Sequence, residues 1–170
     1  MSELASGRPA SAGTPPIRRL RMMTAGFAAG VVAVVAALGV ALPLRGEYPA
    51  GWVTAWAGIT VVSTVVGGTL RSRMAKRVAS ASEPAALADR YTTRLIAGLA
   101  FAEAPTLAGV AVAFWVDGLL PALVAVPVSL AMMLWMGPTD SDLRVVQDRV
   151  DAAGGGLDVA VALGRPGPDS

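Results

Sequence analysis

Neither cysteine nor histidine occurs in this chain. Without cysteine there is no disulfide framework, no thiolate nucleophile and no cysteine metal site. Without histidine the usual general base and the usual metal ligand are gone. Charge is scarce too, at 15% of residues, where a soluble domain carries about 25%. The sequence contains no Walker loop, HExxH helix, Ser/His/Asp set or dinucleotide fingerprint. These absences leave an enzyme only one intramembrane carboxyl and scattered hydroxyls to work with. The expectation is a non-enzymatic protein with no metal and no cofactor.

What fills the space is apolar: 54% of the 170 residues are hydrophobic. Four apolar stretches run over about Met22–Leu42, Ala50–Leu70, Arg94–Val116 and Leu119–Met136. Crossing the ~30 Å hydrocarbon layer takes about 20 mostly apolar residues, and all four come near that length. The first two contain no charged residue. The first stretch is too long for a signal-peptide core, and three more follow it, so it is expected to stay as an uncleaved helix. The predicted fold class is therefore all-α, a polytopic membrane protein of four transmembrane helices. Its expected parts are a disordered basic N-terminal tail (1–20), a four-helix transmembrane domain (21–137), and a cytoplasmic short helix with a flexible tail (138–170).

Orientation follows from the basic residues. Thirteen of the 14 Lys and Arg fall in the N-terminal tail, the connection between the second and third spans, and the C-terminal tail, and only Arg45 falls on the other side. Basic residues gather on the cytoplasmic side of a membrane, so both termini are expected in the cytoplasm and the protein in the cell membrane. The cluster Arg71, Arg73, Lys76 and Arg77 reads as a membrane-surface patch facing anionic headgroups. With a formal net charge of only +2, those headgroups account for the basic residues, and no nucleic-acid partner is expected.

Local signals refine the picture. Ser82-Glu83-Pro84 starts a helix with Pro at its first position, running into the third span. Asp117-Gly118 makes a tight turn that sets the third and fourth spans antiparallel. Gly26 and Gly30 form a small-xxx-small pair suited to close helix approach. Thr139–Asp151 reads as a short helix with Leu143, Val146 and Val150 on one face, docked on the bundle or the membrane. Gly154–Gly156 ends it.

The one acidic residue inside a span is Glu103, within about two residues of the centre of the third stretch, and an ionisable group at that depth marks a candidate functional site. Thr60, Ser63 and Thr64 on the second span and Ser129 on the fourth fall at the same depth. No Lys, Arg or His does. Pro105 and Pro127 each remove a helical hydrogen bond and are expected helix kinks, freeing the carbonyls of Phe101 and Leu123. Carboxyl, hydroxyls and carbonyls together could hold a proton, a sodium ion or a water. Alternatively, Glu103 is a structural hydrogen-bonding group or faces a partner helix.

The segment Phe101-Ala-Glu-Ala-Pro-Thr-Leu-Ala-Gly-Val-Ala-Val-Ala-Phe114 resembles the carboxylate-bearing helix of rotary-ATPase proteolipid (c-ring) subunits. The resemblance implies that Glu103 matches the ion-carrying residue. It covers only this segment, and the family's Arg-Gln-Pro loop and glycine-dense partner helix are missing. The chain also resembles small four-helix bacterial membrane proteins with a Glu-Ala-Pro step in an inner helix. Two functions follow as expectations: a subunit, scaffold or accessory of a membrane complex or homo-oligomer, or proton or sodium translocation centred on Glu103.

Overall fold

A computed structural model of the chain describes residues 16–44, 49 and 51–165. The tail before Pro16, with Arg8, and the connection residues Arg45 and Tyr48 lie outside the described residues. Among the described residues six helices follow in order: α1 (Pro16–Ala41), α2 (Trp52–Ala79), α3 (Pro84–Trp115), α4 (Leu120–Met136), α5 (Asp140–Ala152) and α6 (Val159–Ala162). No strand occurs among the described residues. α1, α2 and α3 are each long and apolar enough to cross a membrane. α4 has 17 residues and reaches that length only together with α5, from which it is bent by 41°. At 1.5 Å per residue α4 measures about 26 Å, slightly short of the hydrocarbon layer.

The helices outrun the apolar stretches at one end. α2 continues to Ala79, and α3 begins at Pro84. Most of the expected connection between them is therefore helix, closed by a four-residue turn in which Ala81 N–H donates to the Val78 carbonyl at 3.1 Å. The physical reason is that the apolar stretch fixes only where lipid can sit. The helix ends where its backbone is interrupted, and Pro84 at the first position of α3 is that interruption. Lys76 and Arg77 in the last turn of α2 suit the negative end of its dipole.

α3 is the centre of the molecule, packed against α2, α4 and α1, while α1 sits against α4 and α3. Glycine sets the closest approach. A Cβ at Gly109 would lie 2.6 Å from the Ala125 Cβ and 2.8 Å from the Pro121 carbonyl oxygen. One at Gly67 would lie 2.8 Å from the Phe101 Cβ. Gly26 and Gly30, the pair singled out in the sequence, have open space around them. The close packing falls on α3–α4 and α2–α3 instead. The turn after α3 puts Asp117 rather than Gly118 in the left-handed region, at φ 47°, a conformation Asp adopts more readily than most residues.

One end of the bundle carries a second packed layer. Leu143, Val146 and Val150 of α5 are buried with Val78, Leu87, Tyr91, Val159 and Leu163. The segment after Gly156, expected to be flexible, folds back: Ile17 N–H donates to the Leu163 carbonyl at 3.0 Å, and Val159 N–H to the Gln147 Oε1 at 2.8 Å. α1 accordingly begins at Pro16, inside the stretch expected to be tail. Away from this layer the outside is apolar, with Val61, Val62, Val65, Leu107 and Phe114 all exposed. Such a surface suits hydrocarbon rather than water.

Filling Gly109 tests the α3–α4 contact. Gly109→Val is expected to destabilise the bundle by about 2 kcal/mol, read as thermal unfolding in detergent. Gly26→Val, with open space around it, is expected to stay within about 0.5 kcal/mol of wild type.

Candidate functional site

Halfway along α3 the polar groups sort themselves into two sets. Ser129 of α4 is fully buried and accepts from the Thr106 hydroxyl at 2.8 Å and the Thr106 N–H at 3.1 Å. Trp56 Nε1–H of α2 donates to the Pro105 carbonyl at 3.0 Å. Pro105 thus marks the level at which α3 is tied to both flanking helices, and α3 runs unbroken through it, as α4 does through Pro127. Thr60 donates to the Trp56 carbonyl and Thr64 to the Thr60 carbonyl, both within α2. The Thr64 hydroxyl also lies 3.7 Å from Met132 Sδ. Ser63 is buried on the same helix.

Glu103 stands apart from all of them. It makes no hydrogen bond or ion pair among the described residues. Ile96, Ala100, Leu107, Ala111 and Phe114 form an exposed stripe along α3, and Glu103 sits half-buried in the middle of it. Leu107, one turn away, is 61% exposed. The expected polar layer of Glu103 with Thr60, Ser63, Thr64 and Ser129 is therefore not assembled within one chain. Ser129 is used by Thr106, Thr60 and Thr64 bond back along α2, and the carboxyl is on the outer face.

The most developed polar network lies nine residues from Glu103 along α3. Asp142, in the first turn of α5, is buried and receives four hydrogen bonds. Arg94 grips it with two, Nη2 to Oδ1 at 2.7 Å and Nη1 to Oδ2 at 2.9 Å. Arg71 Nη2 donates to Oδ1 at 2.6 Å and the Tyr91 hydroxyl to Oδ2 at 2.8 Å. The Asp142 and Arg94 side chains are only 5% and 6% exposed. Burial alone pushes the Asp142 carboxyl up, but the Arg94 hydrogen bonds and charge, then Arg71 and Tyr91, hold it below the ordinary carboxylate range. A carboxylate with every acceptor direction engaged is a fastening, drawing α5 to α2 and α3.

This corrects the reading of Arg71. Expected in the membrane-surface patch, it is instead engaged by contacts within the fold. Its guanidinium is tied to Asp142 and to the Trp135 carbonyl at 2.8 Å, and it lies 5.7 Å from the Trp135 ring centroid. Arg73, Lys76 and Arg77 are exposed, as a surface patch requires. The sequence did carry a signal for the network. Leu87, Tyr91, Arg94 with Leu95, Gly98 with Leu99, and Ala102 form the buried stripe of α3. Arg94 lies on that stripe, where a cation needs a partner.

Beside the network lies a cavity of about 350 Å³, lined in part by Arg71, Arg94, Arg149, Ser72, Ser141 and Trp135. No protein family matches this chain, and no curated protein or solved structure does so either.

Asp142→Asn removes the negative charge and leaves the buried Arg94 guanidinium and the half-buried Arg71 guanidinium facing each other. It is expected to cost about 3–5 kcal/mol, read by unfolding in detergent. Because the folded carboxyl titrates below its unfolded value near 3.9, its contribution is present above that pH and disappears as pH falls through the folded value. Wild type should thus lose stability below about pH 4, and the difference from Asp142→Asn should shrink there.

Proposed function

We propose that this protein is a non-enzymatic integral membrane subunit that self-associates through the α3 stripe centred on Glu103. The observation that carries the reading is the position of that carboxyl. It lies about 14 Å along the helix from Arg94, at 1.5 Å per residue, on an outward face whose neighbours are all apolar. In a membrane such a group costs at least ~2.5 kcal/mol if it stays ionised, and Thr60, Thr64, Thr106 and Ser129 at its level are engaged with other partners. A second copy, meeting the first across a two-fold axis, brings a carboxyl to the same depth and lets the two groups hydrogen bond. The four-span arrangement fits this reading, with α4 completing its crossing at the bend into α5. Both termini would then face the cytoplasm of a cell-membrane protein. The gathering of Arg21, Arg71, Arg94, Arg149 and Arg165 about the α5 end of the bundle supports that orientation.

A second reading draws on the same observation. A half-exposed carboxyl in the middle of an apolar face is reachable by protons or sodium ions, as an ion-handling site would need. Carbodiimide labelling of Glu103 in membranes separates the two. Labelling that falls with rising pH, or that sodium blocks, supports ion handling. Labelling that rises only when the oligomer is dissociated supports the assembly role.

The absence of native cysteine makes the assembly directly testable. Ala100→Cys and Leu107→Cys should each form disulfide-linked dimers in native membranes, whereas Val62→Cys, on the exposed face of α2, should not. Equal cross-linking at all three positions, or none at any, would sink the proposal. Glu103→Gln retains hydrogen-bonding atoms and should keep the dimer, while Glu103→Leu should weaken it by about 1 kcal/mol. A translocator would behave differently, since Glu103→Gln would abolish transport and leave the fold intact.

A further inference from the structure

The cavity beside Asp142 holds more positive charge than the protein itself uses. Three guanidiniums, Arg71, Arg94 and Arg149, line it against one carboxylate. Asp142 takes both hydrogen bonds of the Arg94 fork and one from Arg71, which leaves an excess of two positive charges on the wall. Arg149 spends a single N–H on the Ser72 carbonyl at 3.1 Å, and a guanidinium has five donors. Arg71 is already oriented by Asp142, the Trp135 carbonyl and the Trp135 ring, so an arriving anion need not order it. Ser72 and Ser141 line the same space.

The rest of the wall is apolar and open. Leu134 is 73% exposed and Trp135 56%, and both belong to the end of α4 where the apolar stretch gives way to charge. A fixed arginine pair, neighbouring hydroxyls and an apolar flank at this level are the chemistry that recognises phosphate esters. We infer that this cavity binds a phosphate group, presented by an anionic phospholipid headgroup or by a soluble phosphate. The site stands on residues of α2, α3, α4 and α5 and does not depend on association through Glu103. It differs from diffuse attraction to the exposed row Arg73, Lys76 and Arg77, because the guanidiniums here are oriented by contacts within the fold.

The test uses the purified full chain in detergent with two probes. Native mass spectrometry reads retention of phosphatidylglycerol against phosphatidylcholine, and thermal unfolding reads the shift produced by inorganic phosphate alone. Arg149→Gln should weaken whichever probe binds by about tenfold, the worth of a charge-assisted hydrogen bond. Ser72→Asp, which adds a carboxylate at an exposed position of the wall, should abolish it. Arg73→Gln, outside the cavity, should change neither probe more than twofold. Selective retention of phosphatidylglycerol with no phosphate shift assigns the site to lipid. A phosphate shift without selective lipid retention assigns it to a soluble phosphate. If Arg149→Gln and Ser72→Asp have no greater effect on either probe than Arg73→Gln, the site is overturned.

Discussion

Asp142 is the knot on which one end of this molecule is tied. Its carboxylate joins α5 to Arg71 of α2 and to Tyr91 and Arg94 of α3, so three helices share one buried charge. The geometry explains why the arrangement is tolerable. Two cations flank the anion, the fork of Arg94 matches both carboxylate oxygens, and the Tyr91 hydroxyl supplies a further donor. A buried ion pair of this kind adds little net stability over well-packed apolar residues. Its contribution is to fix one arrangement among several, since α5 can seat Asp142 in only one register. The cap that starts α5, Thr139 Oγ1 accepting from Asp142 N–H at 3.2 Å, sets Asp142 in the first turn of that helix.

The middle of the bundle is held by different means. Where water is absent, polar groups must find partners inside the protein. Thr60 and Thr64 do so within α2, Thr106 and Ser129 across α3 and α4, and Trp56 with the Pro105 carbonyl. Each of these bonds is weak taken singly. They act together with the glycine contacts at Gly67 and Gly109, which bring backbones close enough for dispersion to count. Glu103 is the ionisable group this scheme leaves over.

How much of this was legible in the sequence differs by element. The all-helical class and the long apolar helices could be read because membrane thickness imposes a length, and length survives translation into sequence. The start of α3 at Pro84 and the buried face Leu143, Val146 and Val150 of α5 were likewise visible, since capping and periodicity are local. The ion network is not legible from charge alone, because counting basic residues treats Arg71 and Arg94 like Arg73 and Arg77. Only the helical stripe of α3 tells Arg94 apart, and nothing local names Asp142, 48 residues away, as its partner. The mid-span hydroxyls share a depth with Glu103, but depth fixes height along the bundle and not the direction a side chain faces. The return of Val159 and Leu163 to the core is not legible in the sequence for a related reason. Two apolar residues in a glycine-rich stretch give no period to read.

The fastening of α1 has a bearing on how the protein is made. Its start is held by Ile17 N–H on the Leu163 carbonyl, and its far end meets the α3–α4 turn, where Leu119 N–H donates to the Pro43 carbonyl. Asp140 adds a bridge from Arg21 to Arg165. All of these partners are synthesised long after the helix itself. At about 5–20 residues per second the ribosome reaches Leu163 roughly 7–30 s after Ile17. Until then the start of α1 lacks these contacts, although α3 and α4, made earlier, are already there for it to pack against. The described chain thus closes on itself, its last-made segment returning to the start of its first helix.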